Sequence, residues 1–368
     1  MDTDPVIPVD SRPDSQTEAL SEVQSEERCE PPSPPLADTS TDRQTGAPGS
    51  QSDSHLISTS SPVLAANSLL ARPTEIPRES MLSPLAEIFV SPQGLYPATR
   101  WLIYLVLAYL TFELLNFLLS GLQPSRLPLW WTMVVEARMM LAAVLPAFVM
   151  ARIEGHPFGD FGLPAKRAFR RDFCMGAIWG ILALTALMLV LAAAGAFSLG
   201  SLNLHGMRVL KFAFYYAVFF LIAAFFEDFL FRGYSQWALS RGMHFWPAAA
   251  LLSVLFGAIH LANPGEAKIG IAAVVVIGFF FCLTLRRTGT LWFAVGFHMA
   301  WDWGESYLYS VPDSGGTAPG HLLHSTFHGP DWLTGGSVGP EGSYLLFLLI
   351  AALWILFSRA YPTVKYRE

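Results

Sequence analysis

Charge is what this chain has least of. Asp, Glu, Lys and Arg make up 14% of its 368 residues, where a soluble domain carries about 25%. Hydrophobic residues reach 52% and mean hydropathy is +0.40. That balance excludes an ordinary soluble domain and points to a membrane protein. No basic surplus exists either. Lys and Arg number 23 against 29 Asp and Glu, so nothing indicates nucleic-acid binding. Cysteine is scarce. Cys29, Cys174 and Cys282 imply no disulfide framework and read as inert thiols. Phe, Tyr and Trp are absent from residues 1–80, which are rich in Ser, Thr, Pro and acids. Such a segment buries too little apolar surface to offset its ordering entropy, so a disordered tail is expected there. No basic stretch followed by an apolar run lies near Met1, so no cleaved signal peptide is expected.

What is present in abundance is apolar sequence. Residues 81–99 read as a juxtamembrane segment with a short interfacial helix. Eight segments then approach the ~20 apolar residues a spanning helix needs: 100–121, 129–151, 174–198, 208–231, 244–262, 268–285, 290–309 and 342–360. The fourth is expected to continue as an amphipathic helix to Ser240. Gly155 to Pro164, Asn263-Pro264-Gly265, Thr288-Gly289 and a Gly-rich run at 315–342 mark the turns. The expected fold is an all-α polytopic membrane domain over 100–362, of about eight transmembrane helices around an intramembrane cavity. Lys and Arg alternate across its loops. Arg100, Arg152, Lys166, Arg167, Arg241, Arg286, Arg287 and Arg359 fall on one side. The positive-inside rule then places both termini in the cytoplasm of a cell membrane.

Within this apolar background Glu227 and Asp228 stand side by side. Each carboxylate at membrane depth costs roughly 2.5–3.5 kcal/mol on insertion scales, so the pair is compensated or used. Two later segments each carry one histidine, His260 and His298, and Asp302 follows His298 by one turn. From Glu227 to the turn at Gly242 is roughly 22 Å of helix, from that turn to His260 roughly 27 Å, and from Thr288-Gly289 to His298 roughly 15 Å. The depths overlap, so three antiparallel helices can present Glu227, His260, His298 and Asp302 to one cavity. Asp228 and Arg232 are four apart and share a face, which suits a pair that orients the helix. Glu227 is rotated about 100° away and is free to face the cavity.

A buried Glu beside His residues is equipment for activating water as a general base. Two His with one or two carboxylates also suit a divalent metal, zinc first, with an open position for water. A proton relay in a transporter draws on the same residue types, and a catalytically silent scaffold or immunity protein is the third class. Glu113, Glu136 and Arg138 read first as cross-helix pairs in the first two segments, with lining of a substrate path as the alternative.

Three short motifs carry a resemblance. Glu227-Asp228-Phe229-Leu230-Phe231-Arg232-Gly233, Phe256-Gly257-Ala258-Ile259-His260 and His298-Met299-Ala300-Trp301-Asp302 occur in that order in the fourth, fifth and seventh apolar segments. They resemble the E-E-x-x-x-R, F-x-x-x-H and H-x-x-x-N/D motifs of the CPBP family, the membrane CAAX proteases and bacteriocin-processing (Abi) enzymes. The likeness spans about 170–310. It implies an intramembrane endopeptidase acting on a membrane-embedded or lipidated peptide, metallo- or glutamate-dependent. Glu227 matches the water-activating glutamate, His260 the second-motif histidine, and His298 with Asp302 the pair assigned to metal or oxyanion contacts. Asp228 departs from the family's usual second Glu, though the shorter side chain still reaches Arg232.

Overall fold

The computed structural model of this chain describes residues 90–366, except 92, 93, 264, 266 and 318. The expected disordered tail at 1–80 lies outside the described residues. Where a short interfacial helix is expected over 81–99, the described part is a pair of two-residue antiparallel strands, β1 (Val90–Ser91) and β2 (Gly94–Leu95). The chain then becomes almost wholly helical. The helices are α1 (Pro97–Ser120), α2 (Leu129–Glu154), α3 (Arg171–Ala193), α4 (Met207–Asp228), α5 (Ser235–Met243), α6 (Phe245–Ile259), α7 (Lys268–Thr288), α8 (Trp292–Trp303) and α9 (Tyr344–Ala360).

Local chemistry sets their limits. Pro97 opens α1, where a missing N–H costs nothing. Gly155 and Gly289 close α2 and α7 in the left-handed conformation that glycine adopts freely. The Ser343 hydroxyl accepts the Leu345 N–H at 3.2 Å and caps α9.

α4 and α5 form one bent rod, so eight apolar rods stand where eight segments are expected. Among the described residues six are long and apolar enough to cross a membrane. α8 runs only 12 residues before the chain widens, and α9 has 17, so eight full crossings are not established. Burial separates inner from outer rods. Only 6% of the apolar window of α1 is buried, against 56% for α7. Leu110, Leu114 and Phe117 of α1 point outward. An apolar outward face with its backbone satisfied within the helix is what lipid requires.

Polar contacts gather one set of helix ends. Glu154 at the end of α2 pairs with Arg100 at 3.7 Å and accepts the Tyr234 hydroxyl at 3.0 Å. The Lys365 N–H donates to the Arg286 carbonyl at 3.1 Å, folding the C-terminal segment onto the end of α7.

The tightest seam is between α3 and α8. A Cβ added at Gly176 would stand 2.0 Å from the Phe293 carbonyl oxygen, and one at Gly180 2.3 Å from that of Phe297. Gly296 answers from α8, its Cβ position lying 2.2 Å from the Phe173 oxygen. Gly176 and Gly180 form a small-x-x-x-small stripe, which lets two membrane helices bring their backbones into contact. The seam fixes the height of α8, and with it His298. The 310–341 loop is tied down as well. Strand β3 (Phe197–Ser198), just past α3, pairs antiparallel with β4 (Thr326–Phe327) in that loop.

Candidate active site

α4 ends on Asp228, and Phe229–Tyr234 form one wide π-helical turn before α5. Such turns recur at functional sites because the extra residue re-aims the side chains around it. Gly233 carries the bend (φ −81, ψ −113). A Cβ there would approach the Phe229 ring to 2.6 Å. The turn keeps the i,i+4 pair intact. Arg232 Nη1 donates to Asp228 Oδ1 at 3.2 Å, and both side chains are wholly buried. Arg232 lies over the Phe256 ring at 4.0 Å, a cation–π contact strengthened by the dry surroundings. Space for its other edge comes from Gly278, whose Cβ would stand 2.5 Å from Arg232 Nη2.

His298 on α8 sits among three carboxylates. Its Nε2 is 3.7 Å from Glu227 Oε2 and 3.5 Å from Asp302 Oδ2. Its Nδ1 is 3.5 Å from Asp228 Oδ2. Asp228 therefore does more than hold Arg232: one oxygen takes the guanidinium and the other faces the imidazole. Position 228 reads from the sequence as the partner of Arg232 alone, because i,i+4 spacing reveals contacts along one helix and none across to α8.

His260 follows the last turn of α6. Its Nδ1 donates to the Phe256 carbonyl at 2.8 Å. A carbonyl only accepts, so this bond fixes the proton on Nδ1 and leaves Nε2 for other work. The Phe256 ring stands edge-on to His260 at 4.9 Å and to His298 at 6.4 Å. The aromatic of F-x-x-x-H thus wedges both histidines while capping Arg232.

Glu227, His260, His298 and Asp302 all line one cavity of about 300 Å³. Its apolar walls include Phe219, Phe220, Phe281 and Phe297. Glu136 and Asn263 also line it. Of the two readings the sequence leaves for Glu136, a cross-helix pair or a place on the substrate path, its position favours the second: Arg138 bonds Asn116 at 2.7 Å while Glu136 lines the cavity. An unexplained acid on an apolar helix is the signal that marks it. Asp313 and Glu341 line the cavity from the loop side. No sequence signal separates them from solvated loop acids. Burial, and the Asp302 and Glu341 carboxylates nearby, push the Asp313 carboxyl well above the usual carboxylate range.

A bound metal needs three or more donor atoms converging on one point. No three of Glu227, His260, His298 and Asp302 bring ligand atoms within 4.8 Å of one another. Among the described residues the one such group is Glu305, Asp313 and Glu341. The His298 imidazole instead lies among three carboxylates, Glu227, Asp228 and Asp302, which suits a hydrogen-bonded or ion-paired ring better than a tetrahedral zinc shell. The all-oxygen set can bind a metal, but it lacks the nitrogen and sulfur donors typical of zinc.

No curated protein matches this chain. Residues 209–304 match the family described as type II CAAX prenyl endopeptidase Rce1-like. That segment runs from α4 to the end of α8 and contains all three motifs and the walls between them. Over that segment this multi-pass membrane protein is similar to the CAAX-type membrane proteases.

Proposed function

We propose that the chain is an intramembrane endopeptidase that hydrolyses peptide bonds of membrane-associated, hydrophobic or lipidated substrates, with Glu227 as general base. The observation that carries this reading is the placement of Glu227 beside His298 in an aromatic-walled cavity that also holds His260. The side chain of Glu227 keeps 24% of its surface accessible, whereas that of Asp228 has none. The reachable acid is the one that can meet a water molecule.

In the proposed reaction Glu227 takes a proton from water as the water oxygen bonds to the scissile carbonyl carbon. An N–H of His298 stabilises the resulting oxyanion, and the His260 Nε2, left as an acceptor by the Nδ1 bond to Phe256, takes a hydrogen bond from the attacking water. As the C–N bond breaks, the proton held by Glu227 passes to the leaving amine. Asp302 and Asp228 hold His298 from its two sides, so the ring is oriented before substrate arrives. Glu227, His260, His298 and Asp302 do not converge as zinc ligands would, so these side chains carry the reaction themselves.

Orientation follows from charge. The gathered helix ends carry Arg100, Arg241 and Arg286, so we place that face, and both termini, in the cytoplasm. Replacing His260 or His298 by Ala is expected to lower cleavage of a hydrophobic peptide reporter in proteoliposomes by about 10²–10³-fold each. Unchanged rates in both folded variants would sink the proposal.

A further inference from the structure

The convergent acids Glu305, Asp313 and Glu341 play no part in the reaction above. They come from three separate places: the wide turn after α8, the following loop, and the turn before α9. Their ligand oxygens nevertheless lie within 4.8 Å of one another.

The hydrogen bonds at this cluster are unevenly shared. Ser306 donates to Asp313 Oδ2 at 3.1 Å. The Ser314 N–H and hydroxyl both donate to Glu341 Oε2, at 3.0 and 2.7 Å. Two of the three acids are thus held by one oxygen, with the other left over. Glu305 is fully buried, and neither of its oxygens has a hydrogen-bond partner of ordinary geometry. The Trp301 indole is beside it. Buried carboxylates that are not paired are rare, and those that coordinate metal are one of the few tolerated classes. Serines that orient ligating carboxylates are the usual outer shell of a cation site.

We propose that Glu305, Asp313 and Glu341 bind one hard divalent cation of the calcium class, which pins the 310–341 loop to the end of α8. An all-oxygen set drawn from separate segments suits calcium, which accepts irregular geometry at 2.3–2.6 Å, better than zinc. Oxygens within 4.8 Å of one another fit around such an ion. Such an ion would also offset the mutual repulsion of these carboxylates and of the neighbouring Asp302. This inference stands on the cluster alone and does not depend on the protease reading.

The test uses the purified full-length protein in detergent, stripped with chelator. Terbium emission excited through tryptophan, and its displacement by Ca²⁺, report binding; thermal melting reports the strap. The proposal expects one Ca²⁺ per chain, a higher melting temperature with Ca²⁺ than with chelator, and weaker Mg²⁺ displacement. Glu305→Gln and Glu341→Gln should weaken Ca²⁺ binding by at least about tenfold. Asp331→Asn, which changes an exposed acid of the same loop, should bind as wild type. Since Glu305→Gln removes a buried charge, its fold is checked by circular dichroism, and the wild-type titration stands independently of it. No saturable Ca²⁺ binding by the folded wild type, tighter binding of Mg²⁺, or wild-type binding by Glu305→Gln would overturn the proposal.

Discussion

Replacing Arg232 by Leu is expected to destabilise the protein by about 3–5 kcal/mol. The pair it forms with Asp228 has no surface on either side chain. Removing Arg232 leaves the buried Asp228 carboxylate with only the 3.5 Å approach of His298 Nδ1 against its charge. The guanidinium also fills the space between the Phe256 ring and Gly278, so its loss opens a void. The double replacement Asp228→Leu with Arg232→Met removes the stranded charge, and most of the stability should return. Activity should not return with it, because His298 loses the carboxylate facing its Nδ1. Thermal melting beside peptide cleavage separates the two effects. A double variant that is as active as wild type would show that Asp228 serves folding alone.

Gly296→Val is the second change with a large expected effect. Its Cβ would fall 2.2 Å from the Phe173 carbonyl oxygen and 3.1 Å from the Ala177 nitrogen. Both are backbone atoms and cannot swing aside. α3 and α8 must move apart, loosening the packing of Phe293, Phe297 and Leu184 along the seam. Overpacking of this kind costs about 1–3 kcal/mol and sometimes more; with only backbone to yield, the upper end is expected. The shift also carries His298, two residues along α8, away from Glu227. Melting temperature and cleavage should therefore both fall, with Gly296→Ala intermediate. A stable, fully active Gly296→Val would mean that the seam does not set the position of His298.

These two cases show what the sequence makes legible. The acids and histidines stand out because charge is costly at membrane depth, and period-four spacing exposes Asp228 with Arg232 and His298 with Asp302. The all-helical fold follows from the apolar runs. Contacts between helices leave fainter marks. The Gly176–Gly180 stripe is visible in the sequence, but its partner surface on α8 is not. Glu305, Asp313 and Glu341 are spread over 37 residues of a Gly-rich stretch, and the clasp of β3 with β4 and the folding of the loop bring them together. Among the described residues six rods are long and apolar enough to cross, where eight segments are expected; α8 passes at Gly304 into a wide turn and α9 is short.

The most direct measurement follows cleavage of one membrane-embedded peptide by wild type and Glu227→Gln in matched proteoliposomes, with the new termini identified by mass spectrometry. Gln keeps the size of Glu and loses its basicity. Glu227 is partly accessible and makes only the longer 3.7 Å contact to His298, so the variant should fold and melt like wild type. A rate lowered by about 10²–10⁴-fold is the result predicted for loss of a general base. Cleavage by Glu227→Gln at the wild-type rate would contradict the assignment of Glu227 as the residue that activates water.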